Sequence, residues 1–125
     1  MSTSAPAPIR FGRAAPTITV VDLARALDFY TRVLGFDVTF ENGDPVGFVI
    51  LERDAAEIHL SRSGTHHATS QNVAHLLVDD AQALYAHLVA NDVPIVKGIR
   101  DADHGMRGFV IADPDGNRLD VGQSL

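Results

Sequence analysis

The 125-residue chain contains no cysteine, which excludes disulfides and thiolate metal centres and fits an intracellular protein. Tryptophan is absent too, so tryptophan quenching cannot report on a bound molecule. No run approaches the roughly 18 to 20 consecutive apolar residues that span a bilayer, so no membrane partner is expected. The opening stretch MSTSAPAPIRFGRAAP lacks the apolar centre of a secretory signal and reads as a loose arm, which makes the cytoplasm the expected location. Positive charge is scarce: Lys and Arg number 10 against 16 Asp and Glu, a formal net charge of -6. Such a field repels phosphate backbones and favours cationic small molecules, so nucleic acid is not expected as a partner. No Walker loop, dinucleotide fingerprint, G-x-S-x-G elbow or H-E-x-x-H sequence is present.

What the chain does contain is an internal repeat. Gly47-Phe48-Val49-Ile50 recurs as Gly108-Phe109-Val110-Ile111, and at the same offset of 61 residues Asp54 matches Asp115, Ile58 matches Leu119 and His59 matches Asp120. Upstream, Val20-Val21-Asp22-Leu23 matches Val78-Asp79-Asp80-Ala81 at an offset of 58. The copies cover about 14–63 and 71–123 within one domain, 1–125, whose length suits a single core. Between them Gly64-Thr65-His66-His67 reads as a solvated linker, since adjacent histidines do not share a strand face.

Each copy has the same succession of patterns. Thr17 to Val21 is β-branched and short, as a strand requires. Asp22 is placed to cap a helix over about 23–34, whose apolar face is Leu23, Ala26, Leu27, Tyr30 and Leu34, with Gly35 ending it at positive φ. In the second copy Asp80 caps a helix carrying Leu84, Tyr85, Leu88 and Val89, stopped by Asn91-Asp92. Three β-rich runs follow each helix: 36–41, 46–52 and 57–62, then 95–99, 108–112 and 118–122. The expected fold is α+β: duplicated β-α-β-β-β units forming a curved sheet around a cleft.

The segment Asp22 to Phe36, DLARALDFYTRVLGF, resembles the D-L-x-x-(A/S)-L-x-F-Y-x-x-x-L-G-F signature of the vicinal-oxygen-chelate superfamily, which contains glyoxalase I, dioxygenases and bleomycin-resistance proteins. Asp113-Pro114-Asp115-Gly116-Asn117 is similar to that superfamily's D-P-D-G-N turn. Val49 to Arg53 and the short length look like its bleomycin-resistance branch. The resemblance implies two chains exchanging an N-terminal arm to form a homodimer. It also implies, for the metal-dependent members, ligands near the start of the first strand and the middle of the last strand of each copy. Those places are held by Ala15, Val73, His59 and Asp120, of which the first two cannot ligate. The leading expectation is therefore no cofactor and no metal; the alternative is a divalent ion on His59 and Asp120, aided by His75 or Glu57.

The candidate ligand-binding residues are Phe40, Phe48, Ile50, His59, His104, Met106, Phe109 and Asp120. The phenylalanines supply stacking surface, His104 and Met106 sit in the loop where drug-binding relatives carry contacts, and His59 and Asp120 line the polar part. No catalytic residue is assigned, because no nucleophile or oxyanion arrangement accompanies the His-Asp pair. The expected function is metal-independent sequestration of a small-molecule natural product, bleomycin-like, enediyne or otherwise aromatic, conferring antibiotic resistance. The acid balance favours a basic drug, while the missing indole departs from the drug-binding relatives. The competing expectation is a metal-dependent lyase, isomerase or dioxygenase, and a third is an accessory domain with a vestigial cleft.

Overall fold

The computed structural model describes residues 8–125, so the first seven residues of the arm lie outside the described residues. In the first unit β1 (Thr17–Val20) leads into α1 (Leu23–Asp28), then β2 (Asp37–Gly43), β3 (Val46–Arg53) and β4 (Ala56–Arg62). In the second, β5 (Asn72–Leu77) is followed by α2 (Ala81–Ala90), β6 (Ile95–Ala102), β7 (Met106–Ala112) and β8 (Arg118–Ser124). Each unit makes one four-stranded sheet, in the orders β1-β4-β3-β2 and β5-β8-β7-β6. The first strand of each lies parallel to the last, and the remaining pairs are antiparallel.

The caps stand where the sequence puts them. Asp22 Oδ1 accepts from the Arg25 amide at 3.1 Å and Asp80 Oδ1 from the Ala83 amide at 3.0 Å. Gly35 has φ 76° and Asp92, in the stop after α2, φ 58°. The first helix departs from the expected regular run to 34: it is α-helical only to Asp28, then widens into a π-helical turn over Phe29–Val33. There the Leu34 amide reaches back five residues to the Phe29 carbonyl, at 3.0 Å, and the Thr31 hydroxyl donates to the Leu27 carbonyl at 2.6 Å. The widened turn rotates the following side chains, so Phe29 and Val33 join Tyr30 and Leu34 in the core.

A buried polar knot joins the two halves. The Tyr30 hydroxyl donates to Asp113 Oδ2 at 2.8 Å, and Asp113 Oδ1 accepts the amides of Asp115 and Asn117, both at 2.9 Å. Asn117 Nδ2 donates to Asp113 Oδ2 at 3.0 Å and to the Thr19 carbonyl of β1 at 2.9 Å. Those two donations fix the Asn117 amide orientation, so His66 of the linker donates from Nε2 to Asn117 Oδ1 at 2.9 Å. Asp115 Oδ1 takes the Val21 amide and the Arg25 guanidinium, at 3.2 and 3.0 Å, and His87 of α2 donates to the Val33 carbonyl at 2.8 Å. The D-P-D-G-N turn is thus the clasp between the halves.

Burial, reinforced by the adjacent Asp113 carboxylate, pushes the Tyr30 phenol well above its ordinary 10.0. Below that value the folded and unfolded chains both hold the proton. Above it the unfolded chain releases the proton while the folded one keeps it, so stability falls as pH rises. We expect the 295 nm phenolate signal of Tyr30 to appear only together with alkaline unfolding. Tyr30→Phe should remove that component, and a Tyr30 signal rising while circular dichroism is still native would contradict the buried donation.

Candidate functional site

Helices cover one face of each sheet and leave the other open. On the first sheet Val49, Leu51, Ile58 and Leu60 point into the core, so the alternate residues Phe48, Ile50, Glu57 and His59 point outwards. Cross-strand pairing aligns Thr17, His59, Ile50 and Phe40 in one row. Phe48 bridges it, with its ring centroid 5.4 Å from His59 and 6.3 Å from Phe40, both edge-to-face. Four of the candidate residues, Phe40, Phe48, Ile50 and His59, therefore meet in one aromatic ridge, on which Phe40 remains 50% exposed. Beside it His59 Nε2 lies 2.6 Å from Glu57 Oε2, and Arg13 of the arm reaches over to Glu57, at 3.1 Å, and to Glu52. The hydrogen bond from His59, helped by Arg13, holds the Glu57 carboxyl below its ordinary 4.5 against the partial desolvation that raises it.

On the second sheet Met106, Gly108 and Val110 of β7 face outwards with Asp120 and Gly122 of β8. His75 pairs directly with Asp120, and its Nδ1 lies 2.7 Å from Asp120 Oδ2. These residues, with His104 and two cations of β6, line a cleft of about 210 Å³ to which, among the described residues, only the second half contributes. Two glycines lie in its floor. Gly108 and Gly122 are cross-strand partners, and a Cβ on Gly122 would stand 2.8 Å from the Met106 methyl and 3.2 Å from the His75 ring. His104, Met106 and Asp120 are thus brought together, but on a different sheet from the aromatic ridge.

Phe109 also borders this cleft, but its ring does not face it. It is 2% exposed, and its ring packs edge-to-face on Tyr85 of α2 with centroids 5.1 Å apart. The matched tetrapeptides are not structurally matched: Ile50 pairs with His59, whereas Val110, not Ile111, pairs with Asp120. The turn between β7 and β8 is one residue too long for the sequence offset, so β7 slips by one position. A slip of one reverses every side chain, sending Phe109 into the core and leaving Gly108 where the first half has Phe48.

Register also moves the positions implied for metal ligands. The strand partners of His59 and Asp120 are Thr17 and His75, two residues beyond Ala15 and Val73. His75 is thus a site residue absent from the eight candidates; its place two residues past Val73, on the same strand face, was the available signal. Among the described residues no three His, Asp or Glu side chains converge on one point. The two His-carboxylate pairs lie on separate sheets, each closed on itself by a hydrogen bond, so within one chain the donors do not fit a divalent ion, which needs about three protein ligands.

A third feature escapes sequence reading altogether. A hollow of about 920 Å³ lies between the halves, walled by Leu34, Phe36, Leu76 and Leu84, with Arg53 and Asp80 on its rim. No periodicity announces it, because it depends on how the two units dock.

The profile of the Glyoxalase/Bleomycin resistance protein/Dioxygenase superfamily matches residues 10–121. The chain belongs to this superfamily. A superfamily member from Sphaerobacter thermophilus is 25% identical, with a TM-score of 0.78 over 93% of this chain and 98% of that one. The bleomycin-binding protein of Streptomyces verticillus, solved with copper(II)-bleomycin, is 25% identical, with a TM-score of 0.74 over 94% and 98%. A lactoylglutathione lyase from Agrobacterium tumefaciens shares the fold at 19% identity, with a TM-score of 0.72 over 94% and 96%. No curated protein matches the chain. A bleomycin-binding protein and a lactoylglutathione lyase thus share this backbone about equally well, so the backbone alone does not separate their functions.

Proposed function

We propose that this protein binds and sequesters an aromatic natural product, of the enediyne or bleomycin-like kind, without a metal, and so confers resistance to it in the cytoplasm. The observation that carries this reading is the Phe40-Phe48-His59 ridge, an edge-to-face aromatic surface left uncovered by any helix. Exposed aromatic clusters of this kind are stacking platforms. The cleft of the second open face, about 210 Å³, is below the roughly 300 to 1,000 Å³ of a drug-sized pocket and would need a second copy of the chain to complete it, whereas the hollow between the halves, about 920 Å³, already lies in that range. Ile9 and Phe11 of the arm, 62% and 86% exposed, are apolar groups that such a homodimer would cover.

Calorimetric titration of bleomycin-type and enediyne-type compounds into the protein is the direct test. We expect saturable binding at one ligand per chain, a two-chain mass by ultracentrifugation, and a loss of roughly 2- to 12-fold in affinity for Phe48→Ala, the weight of one stacking contact. Absence of binding across the panel would remove the proposal. The competing reading, a metal-dependent lyase, isomerase or dioxygenase, is favoured by one observation: His59 and Asp120 occupy equivalent places on the last strands of the two sheets, and each has a second metal-ligating type of side chain beside it, Glu57 and His75. Elemental analysis of protein purified without chelator decides between them, with stoichiometric zinc, manganese, nickel or iron favouring the enzyme.

A further inference from the structure

The open face of the second sheet carries a charge opposite to that of the molecule. The chain is acidic overall, with a net charge of -6, yet Lys97 and Arg100 both line the cleft over Gly108 and Gly122. Lys97 is the only lysine in the sequence. Two residues three apart on a regular strand point to opposite faces. Here Lys97 pairs with Val110 and Arg100 with Gly108, so three steps of β6 span two of β7, and this irregularity turns both cations to the open side. Among the described residues neither has a carboxylate within ion-pair distance. Arg107 next to them is held outside by Asp101, at 2.7 Å, and the one acid lining the cleft, Asp120, is engaged by His75.

We propose that Lys97 and Arg100 form an oxyanion subsite, and that the ligand is a flat molecule bearing a carboxylate or phosphate. The anion takes the two cations while the flat body lies against Met106 and His75. A guanidinium binds such a group by paired hydrogen bonds and the ammonium adds a point charge beside it. Gly122 lets Met106 and His75 lie close over the sheet, since a side chain at that position would collide with both, and Gly108 stands where the first half carries Phe48. This inference rests on the binding reading above and corrects its charge. The net charge of the sequence points to a basic drug, but a ligand feels the groups within about a Debye length, roughly 8 Å in physiological salt.

The test compares 2-naphthoate, 1-naphthyl phosphate, 2-naphthamide and 2-naphthylmethylamine by calorimetry on the intact protein. We expect one or both anions to bind at least 10-fold more tightly than the amide and the amine, and to weaken as salt is raised. The better of the two anions identifies the oxyanion as carboxylate or phosphate. Lys97→Met and Arg100→Gln should each cost roughly 10- to 100-fold in affinity for the anion, the weight of a hydrogen bond to a charged group, and leave the amide unaffected. Because there is a single lysine, reductive ¹³C-methylation, which keeps its charge, gives one lysine signal that should shift with the anion and not with the amide. Equal affinity for naphthoate, phosphate ester, amide and amine would overturn the subsite while leaving aromatic binding intact. Failure of all four probes and of the natural-product panel would remove both readings.

Discussion

Asp113→Ala is expected to lower the unfolding free energy by about 3 to 5 kcal/mol, with the thermal midpoint falling roughly 10 to 20 °C. The carboxylate is 3% exposed and accepts four hydrogen bonds, from the Tyr30 hydroxyl, the Asp115 and Asn117 amides and the Asn117 side chain. Alanine leaves all four donors without this acceptor. Of these, Tyr30 at 0% and Asn117 at 2% are too buried to turn to water, and each orphaned group costs about 1 to 3 kcal/mol. Asp54, the aspartate of the corresponding turn in the first half, is the contrast. Its side chain is 94% exposed, and Asp54→Asn should change stability by less than about 0.5 kcal/mol. Because Tyr30 and Asp113 act through one bond, Tyr30→Phe should cost much less in the Asp113→Ala background than alone. Equal costs in urea denaturation for the two aspartate substitutions would mean that the clasp does not hold the halves together.

The parts of this fold that the sequence announces are those set by neighbours along the chain. Asp22 and Asp80 cap their helices because a short carboxylate next to a free amide can do little else, and Gly35 takes positive φ because other residues resist it. Period-two geometry puts Phe48 with Ile50 on one face of Val46–Arg53 and Glu57 with His59 on one face of Ala56–Arg62, so each of these pairs is legible before any coordinates. What is not legible depends on pairing between strands. The slip of β7 against β8 reverses Phe109, and the pairing of β5 with β8 brings His75, not Val73, to Asp120. Both follow from loop lengths and bulges, which a hydrophobic pattern does not encode.

The same limit explains the charge of the second open face. Composition reports the average field of the molecule, and that average is acidic. The bulged path of β6 concentrates two of its ten positive residues on one side of one strand. The two halves thereby diverge in chemistry while keeping one topology: the first presents aromatic rings with Glu52 and Glu57 held by Arg13, the second a floor containing two glycines, with unpaired cations. A duplicated fold permits this because each face is set by a handful of outward positions that the core does not constrain.

Gly47 and Gly108 open the two copies of the same tetrapeptide, yet their replacement by alanine is expected to have opposite results. A Cβ on Gly108 would stand 2.6 Å from the Val121 carbonyl oxygen, which is backbone of the neighbouring strand β8 and cannot rotate away. β7 lies between β6 and β8, so relieving the contact means parting a strand pair inside the sheet. We expect Gly108→Ala to cost about 3 kcal/mol, roughly 10 to 15 °C in midpoint, and to abolish binding in the cleft whose floor it forms. A Cβ on Gly47 meets nothing within 4 Å, and its φ lies outside the left-handed region. Gly47→Ala should therefore be neutral or stabilise by up to about 1 kcal/mol, through the lower entropy of the unfolded chain. If both alanine variants melt at the same temperature, β7 is not slipped, the ring of Phe109 faces the ligand after all, and the floor between Gly108 and Gly122 does not exist as described.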